Sequence, residues 1–311
     1  MIKVYVTDYD YSDLSIEEDV YSKYKIKLIA LKCKSEEELI EKAADADALL
    51  NQYLKLTKVT FKGIKNLKIV VRYGVGLDNI NLKGAEKYNV MVKNIPDYCI
   101  DEVSNNALSM ILNFTRKLKR SDLLVRGGVW DFNKIRPIHK FSNYCIGIIG
   151  FGRIGKALAK KLILLGFDNI LVNDIDSSVV DNFEFNIMVR LVGLKYLFAN
   201  SDFVSLSLPL TRESKNLINK ETLGCAKDSV SIINTSRGAI INEVDLYDFL
   251  SKHPEANAGL DVLKKEPPEF NKNKLLELDN VIFTPHSSFY AEESLIELRK
   301  RVALTVVEYL I

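Results

Sequence analysis

The sequence predicts an α/β protein with two doubly wound domains, each built around a parallel sheet. Short apolar runs rich in β-branched residues alternate with longer helical patterns along all 311 residues, and this alternation is typical of βαβ units. Eleven runs have the character of strands, which is more than one modest open sheet usually contains. At roughly 150 residues per domain, the length independently suggests two domains.

The candidate strands fall into two groups. In the first third of the chain they are Val4–Thr7, Ile26–Leu31, Ala48–Asn51, Ile69–Val71 and Val90–Val92. In the remainder they are Cys145–Gly150, Ile170–Asn173, Phe203–Leu208, Ser231–Asn234, Asn257–Leu260 and Val281–Thr284. Two long helices are predicted as well, because apolar residues recur at spacings of three and four. Their stripes are Val103, Ala107, Ile111, Phe114 and Leu118, and then Leu295, Leu298, Val302 and Val306. We expect both stripes to pack in the core, at the places where the chain crosses between the domains.

Composition excludes several classes of protein. The 43 basic and 41 acidic side chains give a net charge of +2, so no broadly basic surface is expected for nucleic acid or an anionic membrane. No apolar stretch approaches the roughly 18 residues that a membrane span needs, and the strand-like N-terminus does not resemble a secretory signal. The four cysteines lie far apart with no C-x-x-C pair, which argues against a disulfide framework or a metal site. We therefore expect a cytoplasmic protein with reduced thiols.

A glycine-rich turn is the first motif that points to a ligand. The pattern G-x-G-x-x-G falls at Gly150, Gly152 and Gly155, between a predicted strand at Cys145–Ile149 and a helical run at Ile154–Leu165. In this context the first glycine permits a tight turn, the second lets the backbone approach a pyrophosphate, and the third lets helix and strand pack closely. The phosphates would lie at the helix N-terminus, on free N–H groups. The motif therefore predicts a dinucleotide site.

An acidic residue after the next strand indicates which dinucleotide binds. Asp174 follows Gly155 by 19 residues, the spacing of an acid that binds the ribose hydroxyl groups of NAD. A carboxylate there repels a 2′-phosphate, and no Lys or Arg follows within residues 175–180. The sequence therefore favours NAD over NADP. Asp176 is the alternative acid, although Asp174 lies nearer the strand end.

Three later strands are each followed by residues suited to chemistry on a 2-keto acid. Arg237, Glu266 and His286 follow consecutive strands, and ligands of open α/β sheets bind at the carboxyl ends of strands. A histidine can supply a proton near neutral pH, and a neighbouring carboxylate favours its charged form. An arginine can bind the substrate carboxylate with its fork of donors. Asp261 is a candidate to hold the nicotinamide carboxamide. The remaining histidines, His139 and His253, are interpreted as surface or linker residues.

Together these motifs resemble the D-isomer-specific 2-hydroxyacid dehydrogenases over nearly the whole chain after about residue 45. The matching segments are Arg72–Ile80, Asn94–Val103, Ser201–Thr211 and, in chain order, those of Arg237, Glu266 and His286. Several short segments, such as Arg72-Tyr-Gly-Val-Gly and Arg136-Pro-Ile-His139, are most similar to the branch related to C-terminal-binding proteins and phosphoglycerate-dehydrogenase-like enzymes. The departures are Asn105 and Asn106, where the family usually has an acid and often a histidine, and Ser207, where a histidine is frequent.

The resemblance implies a Rossmann-type NAD domain, residues 99–287, inserted in a flavodoxin-like substrate domain formed by residues 1–98 and 288–311. It implies catalysis by Arg237, Glu266 and His286, with His286 as the acid/base. Substrate binding is implied for Arg72, Val75 and Gly76, and cofactor binding for Arg153, Ile154, Pro209 and Thr235 besides the glycines, Asp174 and Asp261. It also implies a homodimer formed through the NAD domain.

A glycine turn of this kind occurs in proteins of three functional classes that bear on this sequence. The first is an NAD-dependent D-2-hydroxyacid dehydrogenase that interconverts a small 2-hydroxy acid and its 2-keto acid. A dinucleotide-sensing binding protein, similar to the co-repressor relatives, would retain the same three residues with little turnover. A methyltransferase would leave Arg237, Glu266 and His286 without a role. The sequence leaves the substrate open, including whether Arg72 binds a substrate phosphate.

Overall fold

The computed structural model describes residues 1–311 and arranges twelve strands in two separate parallel sheets of five and seven strands. The predicted class, α/β with two doubly wound parallel-sheet units, is confirmed. One unit consists of Met1–Cys99 and Tyr290–Ile311, and the other of Ile100–Phe289. None of the helices has the length and apolar character that a membrane span requires.

The first unit has the strand order β2-β1-β3-β4-β5. Its strands are β1 (Ile2–Val6), β2 (Ile26–Ala30), β3 (Ala48–Asn51), β4 (Ile69–Arg72) and β5 (Met91–Lys93), and the helices between them are α1 (Ser15–Tyr21), α2 (Glu36–Lys42), α3 (Lys58–Gly63) and α4 (Leu82–Lys87). All four residues of β3 are buried, as expected for a parallel strand covered on both faces. This double coverage explains why the strands appear in the sequence as continuous apolar runs.

The second unit has the strand order β12-β11-β10-β9-β6-β7-β8. Its strands are β6 (Cys145–Ile149), β7 (Asn169–Asn173), β8 (Val189–Leu191), β9 (Phe203–Leu206), β10 (Ser231–Asn234), β11 (Asn257–Leu260) and β12 (Val281–Phe283). Its helices are α5 (Ile100–Arg116), α6 (Leu118–Arg126), α7 (Arg153–Leu164), α8 (Leu194–Asn200), α9 (Lys220–Leu223) and α10 (Glu243–Lys252). The strand order reverses at β6, which pairs with β7 on one side and β9 on the other. Such a switch point leaves a crevice at the strand ends where ligands bind.

Two details of this unit differ from the strands and helices predicted from the sequence. The sequence did not predict β8, because a three-residue strand at the edge of a sheet is too short to show a periodic pattern. The first long helix is also broken: Lys117 has φ +51° and separates α5 from α6, so Leu118 begins a second helix. A left-handed residue interrupts a helix, and the apolar spacing across residues 103–118 does not reveal it.

The C-terminal helix α11 (Glu292–Leu310) belongs to the first unit, where it packs against α1 and β4. Its buried residues include Leu298, Val302 and Val306, so the predicted stripe does pack in the core. On the same helix, Arg299 forms a bidentate ion pair with Glu17 of α1, with Nε and Nη2 at 2.9 and 2.6 Å from the two carboxylate oxygens. Glu17 is fully buried, and Arg299 is nearly so.

Candidate active site

The three glycines after β6 meet three different geometric requirements. Gly150 has φ +87°, and a Cβ there would lie 2.3 Å from the carbonyl oxygen of Ser207. A Cβ at Gly155 would lie 2.3 Å from the carbonyl oxygen of Gly150, whereas the position of a Cβ at Gly152 is open. The first and third glycines are thus needed for the turn and its packing against α7. The second leaves backbone accessible at the start of a helix, which suits a phosphate group.

Of the two candidate acids after β7, Asp174 is the one that contacts the glycine turn. Its Oδ2 accepts a hydrogen bond from the N–H of Phe151 at 2.7 Å, and its Oδ1 accepts from the N–H of Asp176 at 3.0 Å. Asp176 instead accepts hydrogen bonds from the N–H and hydroxyl of Ser178. The geometry therefore favours Asp174 as the acid beside a bound dinucleotide.

Buried hydroxyl groups at the neighbouring strand ends also fit a dinucleotide. Ser207 follows β9 and Thr235 follows β10, and the hydroxyl oxygen of each is buried without a hydrogen-bond partner. Buried polar atoms normally have a partner, so a polar ligand would satisfy these two. Arg153 is exposed at the start of α7, Ile154 beside it is half-buried, and Pro209 is exposed in the loop after β9. The residues present therefore fit NAD.

His286 and Glu266 form a close pair at the same edge of the sheet. Nδ1 of the imidazole lies 2.6 Å from Oε2 of Glu266, and Oε1 accepts from the N–H of Leu263 at 2.9 Å. Burial raises the pKa of Glu266, but the hydrogen bond and charge of His286, the N–H of Leu263 and the charge of Arg237 together hold that pKa below its usual value. Because the carboxylate is ionised, Nδ1 carries the proton and Nε2 is the nitrogen left for a substrate.

Arg237 is placed near this pair because the next residue, Gly238, packs closely against the backbone of the loop that carries Glu266. A Cβ on Gly238 would lie 1.9 Å from the carbonyl carbon of Leu263, so the loop after β10 can touch the loop after β11 only with glycine there. The guanidinium of Arg237 donates to the carbonyl of Ser236 at 2.7 Å, and its charge acts on Glu266. The structure thus brings together the three residues predicted to be catalytic.

Asp261 makes contacts that the sequence did not predict. It is buried, and its carboxylate accepts hydrogen bonds from the hydroxyl of Thr284 and from the N–H groups of Ser287 and Ser288. Its carbonyl oxygen accepts from the N–H of His286 at 2.8 Å. In the structure Asp261 therefore organises the loop that carries the histidine.

A residue of α5 that was not among the predicted site residues also contacts this loop. Asn106 donates from Nδ2 to the hydroxyl of Ser288. The sequence marked Asn106 only as a departure from the family pattern. The two partners are 182 positions apart in the chain, so no local pattern records the contact. The other histidines lie elsewhere: His253 pairs with Asp228, and His139 packs against Tyr144.

The remaining predicted residues lie in the first unit: Arg72 ends β4, and Val75 and Gly76 lie in the loop that follows it. Gly74 has φ +134°, and the Arg72 guanidinium occupies the place where its Cβ would be. The carbonyl of Val75 accepts from Nδ2 of Asn94 at 2.6 Å, and Val75 and Gly76 are half-buried. The loop is therefore a tight turn held at Val75.

The chain is similar to a known family of proteins over more than half of its length. A family model described as "D-isomer specific 2-hydroxyacid dehydrogenase, NAD binding domain" matches residues 108–288. The chain belongs to the D-isomer specific 2-hydroxyacid dehydrogenases. The predicted resemblance is confirmed, and this dehydrogenase is an NAD-dependent oxidoreductase that interconverts a D-2-hydroxy acid and its 2-keto acid.

Two relatives and one solved structure illustrate the similarity. The hydroxypyruvate reductase of Thermotoga maritima is 34% identical over 274 residues, which are 88% of this chain and 86% of that protein. The D-3-phosphoglycerate dehydrogenase of Methanocaldococcus jannaschii is 31% identical over 302 residues, 94% of this chain but 55% of that protein. The structure of D-lactate dehydrogenase from Aquifex aeolicus with NAD and lactic acid superposes with a TM-score of 0.86 at 27% identity, covering 99% of this chain and 95% of that one.

Proposed function

We propose that this dehydrogenase reduces a short, unphosphorylated 2-keto acid such as hydroxypyruvate, with Arg237, Glu266 and His286 as its catalytic residues. The observation that carries the proposal is the 2.6 Å contact between His286 and Glu266. This contact lies at the carboxyl-terminal edge of the sheet, where the glycine turn also lies. The substrate class is supported by the relatives, because the hydroxypyruvate reductase matches over most of its length and the phosphoglycerate dehydrogenase over about half.

Each residue has a defined part in the proposed reaction. NADH, when bound, supplies the hydride that reduces the carbonyl carbon. His286 donates a proton from Nε2 to the carbonyl oxygen, which becomes the hydroxyl of the product. Glu266 holds the opposite ring nitrogen and stabilises the charged imidazole before the transfer. Arg237 binds the substrate and polarises its carbonyl group. In oxidation His286 accepts the proton instead.

We assign the first unit to substrate binding and the second to NAD. In this assignment, Met1–Cys99 and Tyr290–Ile311 form the substrate domain, which differs by one or two residues from the predicted bounds of 1–98 and 288–311. There the N–H groups of Val75 and Gly76 bind the substrate carboxylate as a small nest. Ile100–Phe289 form the NAD domain, predicted as 99–287. In it the backbone at Gly152 approaches the pyrophosphate, while Gly150 and Gly155 form the turn and its close packing. Arg153, Ile154, Pro209 and Thr235 line the cofactor, and Asp174 binds the ribose hydroxyl groups.

The proposed function is tested by a panel of 2-keto acids assayed with NADH and with NADPH. We expect kcat/KM to be highest for hydroxypyruvate or glyoxylate and lower for phosphohydroxypyruvate and larger apolar acids. We also expect NADH to exceed NADPH by about 100-fold, because a 2′-phosphate beside the Asp174 carboxylate would place like charges together.

Two outcomes of the panel would contradict this proposal in different ways. Highest kcat/KM for phosphohydroxypyruvate would identify a phosphoglycerate dehydrogenase, and Arg72 would then be the candidate phosphate ligand. Tight NADH binding without turnover of any acid would instead favour a dinucleotide-sensing binding protein. Equal use of NADPH would remove the assigned role of Asp174.

We further propose a homodimer formed through the second unit. Helix α6 has no buried residue, and the segment that follows it exposes Trp130 to 89% and Phe132 to 71%. Exposed aromatic side chains are enriched at protein interfaces. A second copy of the chain is the partner that the family resemblance implies.

Substitution of Trp130 tests this interface. We expect wild-type protein to have twice the 35.3 kDa mass of one chain in light scattering, and Trp130→Glu to shift it toward that single-chain mass. Burying an unpaired carboxylate at an interface opposes association. Ile187→Glu is the matched control, because Ile187 is 93% exposed and lies outside this segment. A monomeric wild type, or equal effects of both substitutions, would exclude this interface.

Composition supports our proposals for the location and the partners of the protein. All four cysteines are free thiols, which supports the proposal that the protein works in the reducing cytoplasm. The net charge of +2 supports a small acid as its partner, with no nucleic-acid or membrane partner proposed.

A further inference from the structure

The loop of residues 284–288 holds His286 in an unusual backbone conformation. The φ angle of His286 is +52°, in the left-handed region that residues other than glycine rarely adopt. A residue in this region stays there only when the surrounding contacts fix it. The contacts of the loop therefore determine where the imidazole lies.

One set of contacts comes from the end of β11. Asp261 accepts hydrogen bonds from the N–H groups of His286, Ser287 and Ser288 at 2.8, 2.9 and 3.0 Å, and also from the hydroxyl of Thr284. These bonds fix the backbone of the loop. The hydroxyl of Ser288 does not bond to Asp261 but accepts a hydrogen bond from α5.

The second set comes from α5. Nδ2 of Asn106 donates to the hydroxyl of the buried residue Ser288 and lies 3.5 Å from the hydroxyl oxygen of Thr284. The neighbouring Asn105 has another partner, because its Oδ1 accepts from Nζ of Lys161 in α7 at 2.8 Å. Of these adjacent asparagines, Asn106 is therefore the one that holds the histidine loop.

We propose that Asn106 is a positioning residue for the proton transfer. It ties the loop to α5 through Ser288 and Thr284, and so keeps the imidazole of His286 against Glu266. This inference rests on the proposed role of His286. Loss of the amide would leave the bonds from Asp261 in place but would free the loop from α5, so the distance between imidazole and carboxylate would vary.

Asn106→Ala and Asn105→Ala form a matched pair for the kinetic test. We expect Asn106→Ala to lower kcat by about tenfold, since small misplacements of a catalytic group are costly. The Kd for NADH and the KM for the keto acid should change less than about twofold, because no binding group is lost. Asn105→Ala should leave kcat within about twofold of wild type, because the loop keeps its contacts.

A measurement without turnover tests the same proposal. The chain has three histidines, so their imidazole NMR signals can be assigned with His139→Ala and His253→Ala. Glu266 faces the ring of His286 directly, and the charge of Arg237 reaches Glu266. Because Nδ1 of His286 lies 2.6 Å from the Glu266 carboxylate, its hydrogen-bonded proton should give a downfield signal. We expect that signal to broaden or disappear in Asn106→Ala and to remain in Asn105→Ala.

Ser288→Ala keeps the proposal testable if Asn106→Ala does not fold. Ser288→Ala removes the hydroxyl that accepts the hydrogen bond from Asn106, so we expect the same loss of kcat and the same loss of the imidazole N–H signal. In the double variant the losses should be less than additive, because both substitutions break one contact. The inference is overturned if Asn106→Ala, or Ser288→Ala in its place, matches Asn105→Ala in kcat and in the imidazole N–H signal. A fully active His286→Ala would instead overturn the proposed function.

Discussion

We expect His286→Ala to lower the kcat of keto-acid reduction by about 10²- to 10⁴-fold, the usual contribution of a positioned general acid. Without the imidazole the carbonyl oxygen must take its proton from water, while Glu266 remains as an ionised carboxylate nearby. The effect should fall on kcat more than on the Kd for NADH, since Gly150 and Asp174 lie at other strand ends. Steady-state kinetics with NADH, together with NADH fluorescence titration, measure both quantities.

His253→Ala is the control for this experiment. Its ring packs on Phe249 at the end of α10 and pairs with the exposed Asp228, so kcat should stay within about twofold of wild type. A kcat for His286→Ala equal to that of the control would remove His286 from the reaction and would leave the NAD site without an assigned proton donor.

The second large effect concerns stability. We expect Arg299→Met to lower the free energy of unfolding of the first unit by about 3–5 kcal/mol, because it leaves a buried carboxylate without its counter-ion. Arg299 makes two hydrogen bonds to Glu17 and one to the carbonyl of Asp13, and it stacks over the ring of Tyr11. Glu17 also accepts from the hydroxyl of Tyr73 at 3.0 Å. Urea denaturation followed by circular dichroism measures the loss.

The same helix supplies a matched control. Arg301 forms ion pairs with Asp97 and Glu297, but its side chain is 35% exposed. Arg301→Met should therefore cost no more than about 1 kcal/mol. Replacing both Glu17 and Arg299 with apolar residues should recover much of the loss, because no isolated charge then remains. If Arg299→Met and Arg301→Met destabilise equally, the buried pair does not stabilise the first unit as described.

Most of the fold could be predicted because its signals are local. Runs of apolar residues mark strands covered on both faces, and all eleven predicted strands overlap strands of the structure. The strand β8 and the break at Lys117 could not be predicted, since a three-residue edge strand and one left-handed residue leave no periodic trace. Register within each sheet follows from pairing between distant segments, which the sequence does not record.

Some features of the candidate site could likewise be predicted from the sequence, and others could not. The glycine turn, Asp174 and the order Arg237, Glu266, His286 could be found from the sequence, because each motif is short and lies at a predicted strand end. The contact of Gly238 with the loop after β11, and the bonds of Asp261 to the histidine loop, depend on which strands are neighbours in the sheet.

The sequence by itself therefore determined the class of fold, the cofactor and the family, since these depend on spacings within short segments. Only the tertiary structure decided that Asn106 contacts Ser288, 182 positions away, and that Arg299 contacts Glu17, 282 positions away. Such pairs form only when packing places their helices and loops side by side. Once packing buries a polar group, that group needs a hydrogen-bond partner beside it in space, however far apart the two residues are in the sequence.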